Sequence, residues 1–452
     1  MKDREIAAEL AALSPERRAQ LLRRFGEPKR APTTISHRPP QIARAPRGKS
    51  LPASFAQEDH WLFEQVAGTA PILFGIRFTG ALDLTALQKS LTDIAARHDI
   101  LRTTFALVGG TVTQVVGSPR ALDIPIVDLG DLPAAARDEQ LQKLFVDHAR
   151  KPQDLRHGPL LGTTLVRLGD QEHCLIITAH HAVFDAWSET IFCRELVQLY
   201  DAHHAGAPLQ LPALPIQYAD YATWQRAALH GAELERQLVY WKTRLAHAPT
   251  LELPTDRPRP PRAANEGAAV RFNFGKDLLD GLKELGRAER ATLFTVIFAG
   301  LNIVLSRYSG QQDIVVGTTV ATRRAAETEA LIGPFINGVV LRTNLAGHPS
   351  VRELIGRIRK DALDAYEYQE VPLAQIVREL RIVRDPSRTP VFQVTFVFMN
   401  MPRSWAASSS GLSLERVPLE SGRGLAPYDI TLWVGETEVG QELGGHLEYS
   451  TA

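Results

Sequence analysis

The chain has 452 residues, more than one ordinary hydrophobic core organises, so two or three domains, or two lobes sharing a cleft, are expected. Lys plus Arg number 51 and Asp plus Glu number 51, and this neutrality argues against a nucleic-acid binder, which carries a basic excess. Cys174 and Cys193 are the only cysteines, too few for a disulfide framework or a zinc-ligand spacing.

The opening MKDREIAAEL lacks the apolar core of a secretory signal. No apolar run approaches the ~18 residues of a membrane helix. A cytoplasmic protein in a reducing compartment is expected.

Residues 1–26 read as a short helical preface: Ile6, Leu10 and Leu13 recur at helical spacing, and Ser14-Pro15 reads as an N-cap and first helical position before Leu21, Leu22 and Phe25. It suits equally a docking segment for an upstream protein and a helix packed on the main body. Residues 27–50 are proline-rich and carry only basic charges after Glu27 (Lys29, Arg30, Arg38, Arg44, Arg47, Lys49). They read as a linker, either meeting an acidic partner surface or solvated.

From Leu51 strands and helices alternate. Leu84, Leu87, Leu91 and Ile94 make a helical face behind Asp83 as N-cap. Strands are expected at Leu101–Phe105, Val112–Val116 and Cys174–Ala179. Helices are expected at Trp187–Tyr200 and, as one stretch carrying Trp224 and Trp241, at Tyr218–Leu245. PTDRPRPPR (254–262) is the interior linker, dividing an N-terminal lobe (51–253) from a C-terminal lobe (254–452). The second series predicts a helix at Thr292–Tyr308, a strand at Asp313–Val320, and a helix opened by Ser350 and Glu353 at capping-box spacing. Strands follow at Val391–Met399, Tyr428–Val434 and His446–Tyr449. Two α/β halves of similar size commonly hold their site in the cleft between them.

CLIITAHHAVFDAWS carries the chemistry. An apolar strand ends in His180 and His181, Asp185 follows, and a helix begins near Trp187 and Ser188. On extended backbone, neighbouring side chains point to opposite faces, so only one histidine faces a given cavity. Histidine titrates near neutrality and suits proton transfer from an amine. Asp185 would orient a ring or pair with an arginine, since a buried carboxylate needs a partner. A zinc site is disfavoured, because adjacent histidines on opposite faces chelate poorly and no third ligand is near. A hydrolase triad lacks any G-x-S-x-G elbow. Catalysis without a covalent enzyme intermediate and a satisfied core pair both stand at this point.

HHAVFDAWS resembles the His-His-x-x-x-Asp motif of the condensation domains of nonribosomal peptide synthetases. Carnitine and other CoA acyltransferases of the same superfamily carry related histidine motifs. Six further stretches follow the family's order: SFAQEDHW (Ser54–Trp61), RHDILRTTF (Arg97–Phe105), YADYATW (Tyr218–Trp224), IGPFINGVVLR (Ile332–Arg342), YQEVPLAQIV (Tyr368–Val377) and RDPSRTPVFQV (Arg384–Val394). The departures are Asp59 for the usual arginine, Ala186 for glycine, Gly338 for threonine, and Leu373-Ala374-Gln375 for Phe-Glu. The aspartate-for-histidine pattern of heterocyclization domains is absent, and AWSETIF differs from the G-V-S-W-R of epimerization domains.

The resemblance implies the α/β chloramphenicol-acetyltransferase fold, two lobes around a tunnel. It implies an acyltransferase of a nonribosomal peptide or hybrid polyketide/peptide synthetase, in which an acceptor amine attacks a donor thioester. Both substrates would ride on the phosphopantetheine arms of carrier proteins, with no permanently bound cofactor and no metal. His181 is then the residue that accepts or directs the amine proton. His180 becomes structural, and Asp185 is ion-paired to Arg102, or failing that to Arg97. Ala186, Trp187, Ser188, Asn337 and Gly338 are expected along the tunnel, Trp224 in the core, and Gly317–Arg324 as a floor crossing between lobes. Met1 and the ending YSTA fit the first domain of a longer synthetase followed by an adenylation domain. Its donor would come from another polypeptide's carrier or as a fatty acyl-CoA. Three alternatives remain: a starter domain N-acylating the first amino acid from acyl-CoA, a non-catalytic recruitment module of the same fold, and a free-standing acyltransferase.

Overall fold

The computed structural model describes residues 41–451 except 47–49, 65–70, 209–210, 264–265, 383–384, 400–407, 418–425 and 438–441. The helical preface expected at 1–26 lies outside the described residues, as does most of the basic stretch. The described end of that stretch is packed: Ile42 is buried, the Arg44 guanidinium donates to the Pro215 and Leu214 carbonyls, and Ala45 N donates to Asp220.

Residues from Ile42 on form one unit. It opens with β1 (Leu51–Pro52), α1 (Phe55–Glu64), β2 (Ile72–Thr79) and α2 (Leu84–Arg97). A 3-10 turn (Asp99–Arg102) leads into the hairpin of β3 (Thr103–Val108) and β4 (Thr111–Val116). Next come β5 (Ile126–Asp128), α3 (Ala134–Arg150), β6 (Leu161–Gly169), β7 (Glu172–Ala179), α4 (Ala186–His204), α5 (Tyr218–Ala228) and α6 (Gly231–Leu245). The second series is β8 (Gly267–Phe274), α7 (Lys276–Ala288), α8 (Leu293–Ser309), β9 (Asp313–Ala321), β10 (Ile336–Asn344), α9 (Val351–Glu367), α10 (Leu373–Glu379) and β11 (Val394–Met399). It closes with β12 (Ser413–Val417), β13 (Ile430–Glu436) and β14 (Leu443–Ser450).

The helix starts follow the caps in the sequence. Asp83 accepts from Ala86 N at 3.0 Å, Thr292 accepts from Thr295 N, and Ser350 with Glu353 forms the reciprocal box. Three expectations are corrected. The strand placed at Leu101 begins two residues later, because Ile100 and Leu101 are buried on a 3-10 turn that Arg102 ties to Asp99. The single helix expected over Tyr218–Leu245 breaks at Leu229–His230, and α6 starts from Gly231 at φ +54°, a conformation glycine adopts without strain. The strand expected from Val391 starts at Val394, since Val391 sits at φ +73° and cannot extend a ladder.

Two main sheets result, one of order β12-β2-β7-β6-β5 and one of order β10-β9-β11-β13-β14-β8, beside a small sheet β1-β4-β3. Each main sheet has its own core, Phe74, Phe184 and Phe192 in the first, Phe298, Phe396 and Trp241 in the second. The cores trade elements. α6 packs Leu238 and Trp241 into the second core, while Leu331, Ile332 and Phe335, between β9 and β10, belong to the first. β12 crosses too, running antiparallel to β2 with Ser413 opposite Thr79 and Val417 opposite Gly75. β7 lies inside its sheet, paired on both sides, and delivers the histidines at its C-terminal end.

Candidate active site

β7 stops at Ala179, and the chain turns at once. Val183 N donates to the His180 carbonyl at 2.9 Å, a β-turn closure, so the two histidines diverge through a turn and not through strand alternation. His180 is sealed inside this turn, 1% exposed. Its Nδ1 accepts from Ala182 N at 2.9 Å, which leaves the proton on Nε2, 3.3 Å from Glu64 Oε2. Burial holds its pKa below the ordinary histidine value against the pull of Glu64. His181 is half-buried at the next position. Its ring stacks on that of His60, with centroids 5.4 Å apart and planes 13° from parallel. Burial, aided by His180, pushes His60 down to about 3, so this ring is neutral near pH 7.

Asp185 ends the turn and caps α4. Its Oδ1 accepts from Ser188 N at 2.7 Å and from Ser188 Oγ at 2.6 Å, and its Oδ2 from Phe335 N at 3.1 Å. Its ion-pair partner is Arg323, with Nη2 3.2 Å from Oδ1. This corrects both expected arginines. Arg102 is held by Asp99 three residues back and by the Gly117 carbonyl, and Arg97 donates to Glu195 and to the Pro212 carbonyl. Each already has a carboxylate closer in the fold. Arg323 also donates to the Thr328 and Leu331 carbonyls, and its guanidinium lies 4.0 Å over the Phe335 ring. Asp185 and Arg323 thus pin the connection between β9 and β10 against the start of α4.

The remaining candidates separate by what they touch. Ala186 is exposed on the first turn of α4. Trp187 is half-buried and its indole donates to the Glu329 carbonyl at 3.3 Å. Ser188 is fully buried and its hydroxyl accepts from Gly333 N at 3.0 Å, so it clamps backbone instead of lining a passage. Asn337 donates to the Gln369 and Val371 carbonyls at 2.6 and 2.8 Å, fixing the approach to α10. Gly338 sits on β10, where an added Cβ would meet Leu373 at 3.4 Å, ordinary contact. Trp224 packs against the first core. Of the crossing expected over Gly317–Arg324, Gly317–Ala321 lie on β9, and the residues beyond it reach across: Thr322 meets the Tyr221 hydroxyl and Arg323 reaches Asp185, while Arg324 turns back to Glu370.

Several residues of the site carry no expected role from the sequence, although Gln57, Asp59, His60 and His98 lie in the stretches SFAQEDHW and RHDILRTTF. α1 presents Gln57, His60 and Glu64 at helical spacing, and together they grip the turn; the spacing in SFAQEDHWLFE is the signal that shows them. His98 and Glu195 form a buried pair at 2.9 Å, and His98 also accepts from Ile332 N. Asp59, on α1, meets the Ala374 backbone amide, so two departures from the family pattern face each other. Burial, with Glu58 beside it, pushes Asp59 up to about 7. Among the described residues no group of three His, Cys, Asp or Glu side chains is placed to hold a metal ion, and no single helix is long and apolar enough to cross a membrane.

The arrangement offers a half-buried imidazole, His181, on a turn that His180 and Asp185 hold in place. That is the equipment for accepting a proton from a nucleophile brought to the turn. A family model for the condensation domain matches residues 48–452. One of the linear gramicidin synthase proteins of Brevibacillus parabrevis is 43% identical over 91% of this chain, which spans 5% of that protein's length. Phosphinothricin tripeptide synthetase PhsC of Streptomyces viridochromogenes is 34% identical over 99% of this chain, which spans 41% of that protein. Among solved structures, the X-domain from teicoplanin biosynthesis superposes with a TM-score of 0.81 at 26% identity, covering 91% of this chain and 92% of that one. SgcC5 of Streptomyces globisporus gives 0.74 at 27% identity, covering 88% and 93%. Sequence, fold and motif geometry agree, and the chain belongs to the condensation-domain family.

Proposed function

We propose that the chain forms an amide between an acceptor amine and a donor acyl thioester. The amine nitrogen attacks the thioester carbonyl, the C–N bond forms, the C–S bond breaks, and the thiol leaves with a proton. His181 accepts or directs the proton the nitrogen loses. The observation that carries this reading is the division of labour at the motif. His180 and Asp185 spend their hydrogen bonds on the fold, while His181 stands half-buried at the turn. Confinement of two tethered substrates would supply much of the rate.

In this reading the two lobes enclose a tunnel near His181, with the N-terminal lobe at 51–253 and the C-terminal lobe at 254–452. Carrier proteins present phosphopantetheine arms at its mouths, or CoA presents the donor. The assembly works in the cytoplasm, with an adenylation domain downstream and residues 1–26 docking an upstream partner. A second reading, recruitment of another protein, is favoured by the likeness to the X-domain, which has been solved in complex with OxyB.

Intact-protein mass spectrometry of a single turnover separates the two. An aminoacyl-loaded acceptor carrier is offered acyl-carrier and acyl-CoA donors in parallel, with wild type beside His181→Ala. Transfer that collapses in the variant supports amide formation and names the donor class. No transfer from either donor sinks it in favour of recruitment.

A further inference from the structure

One face of α1 reads the motif turn residue by residue. Gln57 Nε2 donates to the Ala182 carbonyl at 3.3 Å, the His60 ring lies against His181, and Glu64 Oε2 accepts from His180 Nε2. Three residues along one helix stripe thus meet three consecutive residues of the turn, in reverse order. Gln57 is fully buried and is itself held, since its Oε1 accepts from Ser54 N at 2.9 Å. The contacts at 180 and 182 are hydrogen bonds that fix backbone and tautomer. The contact at 181 is of another kind, ring on ring.

We propose that His60 is a positioning residue for the reaction, its imidazole backing the His181 ring and holding the plane in which His181 meets the acceptor amine. The inference rests on the amide-forming reading of His181. The family's opening motif, S-x-A-Q-x-R-x-W, leaves position 60 open, so this would be a property of this chain.

The physical case has two parts. Turning the His181 ring about its terminal side-chain torsion, which is broad and roughly two-fold, would break its face-to-face contact with His60. A nearly parallel ring at 5.4 Å restricts that rotation. The second part concerns charge. When His181 takes the amine proton it becomes a cation. A neutral ring face beside it attracts that charge, where a second imidazolium would repel it. Burial keeps His60 neutral, and its other aromatic neighbour, His180, approaches edge-on at 6.3 Å.

The test compares His60→Leu, which removes the ring, with His60→Phe, which keeps a ring and removes both nitrogens. Wild type and His181→Ala run alongside. kcat and KM are measured against an aminoacyl-N-acetylcysteamine acceptor with the donor class fixed by the single-turnover assay. His60→Leu is expected to lower kcat by about three- to tenfold, the size of an aromatic stacking effect, with KM for the acceptor unchanged. His60→Phe is expected to recover most of the loss.

Thermal melts confirm that each variant folds, and His60→Met replaces His60→Leu if the latter does not. Wild-type kcat in the aliphatic variant, or a His60→Phe protein as slow as His60→Leu, overturns the inference while leaving His181 in its role. A His181→Ala protein as fast as wild type overturns both.

Discussion

Arg323 and Asp185 stand 138 residues apart in sequence, yet Nη2 lies 3.2 Å from Oδ1 with both side chains nearly sealed from solvent. The pair joins the connection between β9 and β10 to the cap of α4, and so fixes the turn that carries His181. A buried pair of this kind is poor evidence of net stabilisation, but breaking it leaves an uncompensated charge. Arg323→Met should cost about 3–5 kcal/mol in urea unfolding. The double variant Arg323→Met with Asp185→Asn should lose less than the sum of the two single losses, because the orphaned carboxylate is gone.

The two histidines should part company on substitution. His181→Ala is expected to reduce transfer by ~10²–10⁴-fold with little change in melting temperature. His180→Ala strands the buried Ala182 amide, so about 1–3 kcal/mol of stability should go with the activity. Paired melting curves and single-turnover rates check both.

Asp59 gives a pH signature of definite sign. Its folded pKa is raised from 3.8 to about 7 by burial and by Glu58. Between about pH 4 and about pH 7 the folded chain holds a proton that the unfolded chain has released, so Asp59 lowers stability progressively as pH rises through that window. Asp59→Asn should therefore raise the melting temperature more at about pH 8 than at about pH 4, where the destabilisation in the wild type has only begun to develop. His60 titrates in both proteins, so its own acid-side effect cancels in the difference. Equal shifts at the two pH values would contradict the assignment.

Two glycines on either side of Phe335 should respond in opposite ways. Gly333 has φ +154°, and an added Cβ would lie 2.1 Å from the Tyr218 ring. Gly333→Ala should cost about 2–4 kcal/mol from strain and overpacking together. At Gly338 the added Cβ only touches Leu373, so Gly338→Thr, which restores the usual family residue, should fold as wild type does. Urea midpoints of the two variants decide it.

Much of this architecture was legible because it is written locally. Asp83, Thr292 and Ser350 start their helices as the caps require, and the strand into His180 is continuous apolar sequence. The partner of Asp185 was not legible. Arg97 and Arg102 are equally good cations in sequence, and only the fold shows them taken by Glu195 and Asp99 while Arg323 arrives from the β9–β10 connection. His60 escaped for a related reason: its meaning depends on which turn its helix face meets. The break at Gly231 was visible as a residue and invisible as a conformation, since nothing nearby in sequence demanded φ +54° there.

The exchange of β12 into the first sheet has a consequence for how the chain is made and recombined. β2 is apolar and buried along most of its length, and among the described residues the strand that covers one of its two edges is Ser413–Val417. A nascent chain emerging from the ribosome therefore carries that edge bare until residue 417 has been translated, an invitation to pair with a neighbouring polypeptide. The same holds for splicing: a crossover placed between β10 and β12 would ask a foreign strand to close this sheet, whereas one placed before β1 or after β14 would leave the domain to close it with its own.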